Sequence, residues 1–202
     1  MNYGDYIKQV ALEYAREWRK RNCTENNTAC YQYLFDEDYT NVTGKPWCVG
    51  LVSAVLRHAS RLANVSVPLP FTLSTVGILD EAKRRGIRVD STPAVGSIFV
   101  YVNNPQVPNH AGIVIGGDTT GIYTVEGNVS DHIKCYGCSN ESVVLLGTKT
   151  NRSYARMRQL NTQYIHVEDT PIPVPPASDE TNTGLIIAGA FVLAGGLYAA
   201  FR

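Results

Sequence analysis

The sequence predicts an α+β fold in which N-terminal helices pack on an antiparallel β-sheet. Three observations carry this expectation. Apolar residues in the first 64 positions recur at helical spacing. Strand-like runs are concentrated after Pro93. Helices therefore come first and strands follow, without the βαβ alternation of a parallel sheet.

Each element has its own basis. Tyr3, Ile7, Val10, Tyr14 and Trp18 recur at spacings of four, three, four and four, which places them on one face of an amphipathic helix. Charges at Asp5, Lys8, Glu13, Arg16 and Glu17 interrupt the segment, so it lacks the unbroken apolar core of a cleavable export signal. Residues 47–64 form a second stripe, with Val49, Val52, Val55, Leu56, Ala59 and Leu62 on one side and Pro46 just before the start. A further helix is expected at about Leu73–Arg85, ended by Gly86. Ser97–Val102, Ala111–Ile115 and Gly121–Glu126 read as strands, with turn residues between them. Ser142–Leu146 reads as a fourth strand, and Tyr154–Arg158 as a weaker fifth.

The C-terminal end differs in composition. Pro171, Pro173, Pro175 and Pro176 make residues 169–183 a semi-rigid Pro-rich linker. Gly184–Phe201 then runs for 18 residues without a charge. At about 1.5 Å per residue a helix of that length approaches the ~30 Å hydrocarbon core of a bilayer. The expectation is a transmembrane helix over 184–201, with a lipid membrane as its partner. Gly189, Gly195, Gly196 and the neighbouring alanines allow close helix approach, so a homo-oligomer through this helix is a further expectation. The main domain is then 1–168.

Lys and Arg total 18 and balance 18 Asp and Glu, which argues against a nucleic-acid partner. Residues 169–202 hold one basic and three acidic side chains, so the domain before them is slightly positive.

Five cysteines make an odd count. Cys23/Cys30 and Cys135/Cys138 are close in sequence, and Cys48 is left over. The two close pairs could be disulfides, zinc ligands or free thiols, and spacing does not choose among them. Asp36, Glu37 and Asp38 lack the alternating pattern and glycine of a calcium loop, so no metal or other cofactor is expected.

Cys48 falls in the first turn of its expected helix, where unpaired N–H groups and the helix dipole favour a thiolate. A cysteine nucleophile needs a base, and the base needs an orienting partner. His110 opens one strand and Glu126 closes the next, so they fit these two roles. His58 is ten residues along the Cys48 helix, about 15 Å away, and is out of reach. Asn128 lies two residues beyond Glu126, and strand alternation would keep it on the same face.

The series PWCVGLVSAVL, PAVGSIFVYV, NHAGIVIGG and YTVEGN resembles the CHAP family of cysteine- and histidine-dependent amidohydrolases and peptidases. The resemblance spans roughly residues 25–158. In this chain 62 positions lead from Cys48 to His110, 16 from there to Glu126 and two more to Asn128. One departure is Gly96-Ser97, where the family commonly has Gly-Asp. The resemblance implies a papain-like fold, Cys48 as nucleophile, His110 as general base, Glu126 as orienting acid and Asn128 as an additional polar site residue. It also implies bacterial peptidoglycan as substrate, cleaved at an amide or peptide bond through an acyl-enzyme.

The anchor adds a context. A lytic enzyme of a bacterial virus is expected, held in the membrane of a membrane-containing virion for infection or in the host inner membrane for release. Two other classes stand beside it. One is a non-catalytic, membrane-anchored structural or wall-binding protein on the same fold. The other is an acyltransferase of the related papain-like group with C-terminal anchors; there His precedes Cys, the reverse of the order here.

Overall fold

A computed structural model describes residues 1–23, 28–35, 42, 44–105, 107–138 and 151–172. The fold is α+β, with helices packed on an antiparallel sheet. The expected strand at Ser142–Leu146, the acidic run Asp36–Asp38 and the apolar run 184–201 lie outside the described residues. No helix among the described residues is long and apolar enough to cross a membrane.

Helix α1 spans Tyr3–Lys20 and begins with a capping box: the Asn2 side chain accepts from the Asp5 N–H, and Asp5 accepts from the Asn2 N–H. Its five stripe residues are all buried. Helix α2 covers Thr28–Phe35, a segment without a clear sequence signal. Helix α3 covers Cys48–Ala63 and ends at Asn64 in the left-handed region, φ 54°. Tyr3 ties α1 to α3, its hydroxyl donating to the Leu56 carbonyl at 3.2 Å and lying 2.6 Å from Ser60 Oγ. Leu62 departs from the expected stripe, being 37% exposed in the last turn of α3. Helix α4 covers Thr75–Arg84, capped by Ser74, whose hydroxyl accepts from the Gly77 N–H at 2.9 Å.

The sheet has seven strands: β1 (Val89–Asp90), β2 (Ile98–Tyr101), β3 (His110–Gly117), β4 (Gly121–Glu126), β5 (Lys134–Tyr136), β6 (Arg152–Ser153) and β7 (Gln163–Ile165). The order is β1-β7-β2-β3-β4-β5, and β6 joins the edge of β4 beside β5. All pairings are antiparallel.

Alternation divides the sheet into two faces. Ile98, Val100, Ala111, Ile113 and Val125 join the main core with α1 and α3. Phe99, Tyr101, Val114, Ile122 and Tyr164 form a second cluster with Met157 and Leu160.

The segment expected as a fifth strand is instead helix α5, Tyr154–Gln159. Ser153 caps it by accepting from the Arg156 N–H at 3.3 Å. Met157 and Leu160, three residues apart, are the buried pair, which is helical and not strand spacing. A single 3-10 turn, Val167–Asp169, follows β7, and Ile172 still packs against the core. The packed fold thus runs past the expected boundary at 168.

The four close-spaced cysteines form two bridges, Cys23–Cys30 and Cys135–Cys138, each with Cα atoms 5.8 Å apart. This selects one of the alternatives left open by spacing. Cys48 is the free cysteine.

Candidate active site

Aromatic packing fixes the start of α3. Trp47 is 1% exposed, with its ring 5.3 Å from Trp18, 5.9 Å from Tyr31 and 6.0 Å from Phe35. Trp47 is also the N-cap, and its side chain makes no capping hydrogen bond. The first-turn N–H groups of α3 thus have no side-chain cap to satisfy them. Cys48 is the first residue of that turn.

His110 opens β3 opposite Tyr101 of β2, and the two rings lie 5.7 Å apart. The pairing of Ile113 with Val125 sets Gly112 opposite Glu126. Glu126 therefore lies diagonally from His110 on the same face, across Gly112. A Cβ on Gly112 would come within 2.8 Å of Glu126 Cγ and 2.6 Å of Phe99 Cε1. The glycine leaves the opening through which the carboxylate reaches the imidazole. Gly127 has a similar role behind the site, where a Cβ would meet Trp47 at 2.8 Å and Leu51 at 2.9 Å.

Through that opening His110 Nε2 lies 2.9 Å from Glu126 Oε2. The imidazole is also coupled electrostatically to the Cys48 thiol, each acting on the other's proton affinity. Backbone donors at Ala111 and Val49 act on the Cys48 thiol in the same direction as the imidazole. Burial alone would push the thiol up. The hydrogen bond and charge of His110, with the two backbone donors, outweigh burial and bring it below its ordinary value. Burial pulls the imidazole down, but Cys48 and Glu126 together lift it to about 9. These directions favour a thiolate–imidazolium pair.

Glu126 is fully buried. Burial would raise its carboxyl, yet His110 and Arg152 hold it at about 2. Arg152, from β6, meets it with two nitrogens, Nε at 2.8 Å from Oε1 and Nη2 at 2.5 Å from Oε2. Thr124 donates its hydroxyl to Oε1 at 2.6 Å. The Arg152 guanidinium also lies over the Tyr136 ring, 4.0 Å from its centroid.

Sequence reasoning placed Cys48, His110 and Glu126, and the fold brings them together. It missed Arg152 and Thr124. Asn128 is not brought in by the expected route. Strand β4 ends at Glu126 and Asn128 has φ 57°, so strand alternation does not reach it. Among the described residues no side-chain hydrogen bond joins Asn128 to His110.

His166, Glu168 and Asp169 are the other group with metal-ligand chemistry, their ligand atoms lying within 4.8 Å of one another. Arg88 already places a cation there, with Nη2 2.8 Å from His166 Nδ1 and Nε 3.1 Å from Asp169 Oδ2. That arrangement is an ion-pair cluster and a poor metal centre.

No family model, curated protein or solved structure matches this chain.

Proposed function

We propose that the protein is a cysteine-dependent peptidoglycan hydrolase with a papain-like active centre. The observation that carries the catalytic part is the chain of contacts from Cys48 at the α3 N-terminus through His110 to buried Glu126. The sulfur of Cys48 attacks the carbonyl carbon of the scissile amide, and the C–N bond breaks. His110 gives its proton to the departing nitrogen, leaving a thioester on Cys48. His110 then takes a proton from water, which attacks the thioester and releases the acid and the thiolate. The Cys48 N–H, in the uncapped first turn of α3, is suited to donate to the developing oxyanion. Glu126 holds the imidazole in orientation through Nε2.

The choice of peptidoglycan rests on the resemblance of the Cys48, His110 and Glu126 segments to the CHAP family. Two disulfides support work outside the cytosol, where such bridges persist. The slightly positive domain suits an anionic wall. Residues 184–201 act in this reading as a membrane anchor that confines hydrolysis to nearby wall, in a virion membrane or at the host inner membrane.

The test is release of fragments from purified cell walls by the full chain. Wild type clears the wall and Cys48→Ala does not; equal clearance by both overturns the mechanism. Mass spectrometry of the fragments identifies the bond. The anchor is tested by alkaline carbonate extraction: protein retained in the membrane pellet supports it, and full release refutes it.

A further inference from the structure

Arg152 touches neither Cys48 nor His110 in any contact described above, yet it completes an ordered row of charged groups. Along that row lie the Arg152 guanidinium, the Glu126 carboxylate and the His110 imidazole, joined by hydrogen bonds, and then the Cys48 sulfur, coupled electrostatically to the imidazole. When the thiol is ionised the signs alternate: plus, minus, plus, minus. The four formal charges then cancel within a site whose carboxylate has no exposure to water. A fully buried carboxylate facing only an imidazole would be poorly compensated. The Arg152 fork supplies the missing charge, and the Tyr136 ring and Thr124 hydroxyl hold fork and carboxylate in place.

We propose that Arg152 is a positioning residue that sets the pH window in which Cys48 is ionised and His110 still carries its proton. The proposal deepens the reading of Cys48 and His110 as nucleophile and base and rests on it. The groups facing this pair are Glu126 and Thr124 from β4, Tyr101 from β2, Tyr136 from β5 and Arg152 from β6. Burial pushes the Tyr101 phenol up to about 12 and also raises that of Tyr136. Both phenols are therefore neutral below pH 10, and among these described groups only the four-member row carries charge there.

The sign of the effect follows from Coulomb's law. Removing a positive charge raises the proton affinity of every nearby group, and removing a negative one lowers it. Both edges of the window therefore move together. Loss of Arg152 shifts them to higher pH, and loss of the Glu126 charge shifts them to lower pH. A residue that served packing alone would slow the reaction and leave both edges where they are.

The test reads the thiol directly and needs no wall substrate. Cys48 is the one free cysteine, so iodoacetamide alkylation of the full chain reports its thiolate. The alkylation rate is followed from pH 3 to 11. Arg152→Met is expected to raise both edges by about one pH unit, roughly a tenfold loss of thiolate at a fixed pH on the acid edge. Glu126→Gln lowers both, the double variant returns them close to wild type, and Arg152→Lys, which keeps the charge, leaves them in place. Unmoved or lowered edges in Arg152→Met overturn the proposal. So does an equal shift in Arg152→Lys, or failure of both Arg152 variants to fold, which would assign the residue a purely structural role. A wild-type thiol that ionises like a free cysteine would instead refute the nucleophile reading itself.

Discussion

His110 is a partly buried imidazole and His166 a buried one, each against a carboxylate with an arginine close by. His110 spends Nε2 on Glu126, and its ring is coupled electrostatically to the Cys48 thiol. Its arginine lies on the far side of the carboxylate. His166 has Nδ1 2.6 Å from Glu168 and Nε2 2.9 Å from Asp90, and Arg88 meets the ring directly at Nδ1. The His166 side chain is 1% exposed, against 13% for His110. The first arrangement commits only Nε2 to a carboxylate and couples the ring to the thiol proposed as nucleophile. The second uses both nitrogens to fasten β1 to the turn after β7. A histidine–carboxylate pair is therefore not itself a catalytic sign; what distinguishes the two is what else the ring is coupled to.

This contrast yields predictions of graded size. Cys48→Ala or His110→Ala should lower wall hydrolysis by about 10³-fold or more, read as fragment release per unit time. Gly112→Ala should come next. The added methyl displaces Glu126 and Phe99, and a shift approaching 1 Å in the pair costs about 10²-fold in the same assay. His166→Gln should leave hydrolysis within about threefold of wild type while lowering stability by about 1–3 kcal/mol in urea denaturation. A loss of activity in His166→Gln as large as that in His110→Ala would erase the distinction.

The row from Arg152 to Cys48 should also leave a mark on stability against pH. Glu126 titrates at about 2 in the fold against 4.5 ordinarily, so its stabilisation is complete above 4.5 and fades as pH falls toward 2. His110 is raised from 6.5 to about 9, so its contribution is complete below 6.5 and is lost as pH rises through 9. Both are in full force between about 4.5 and 6.5. Glu126→Gln should flatten both flanks of the denaturation midpoint plotted against pH. Unchanged flanks would show that the stabilising charges lie elsewhere.

The long periodic elements were legible in the sequence because period reports burial. The stripe of α1, the start of α3 and the whole of β4 came out as expected. The two-residue strands β1 and β6 are too short to show a period, and α2 had no anticipated signal. At Tyr154–Gln159 the capping serine and the Met157/Leu160 spacing outweighed the strand-like aromatic and arginine content. The candidate catalytic residues were legible through helix-start and strand-end positions. Arg152 was not, because it follows 26 residues after its partner and lies in no motif. The signal that could have found it is electrostatic: an acid placed in a buried strand requires a cation. Asn128 shows the converse limit, since alternation ends where the strand does.

Gly112 carries an implication for descent. A copy of this gene could be silenced there by a single methyl group while Cys48, His110 and Glu126 all stayed in place. In sequences derived from this one, an intact set of the side chains proposed to react would then not distinguish a copy with the proposed activity from one without it. The residue between the histidine and its carboxylate, which has no side chain at all, would have to be read with them.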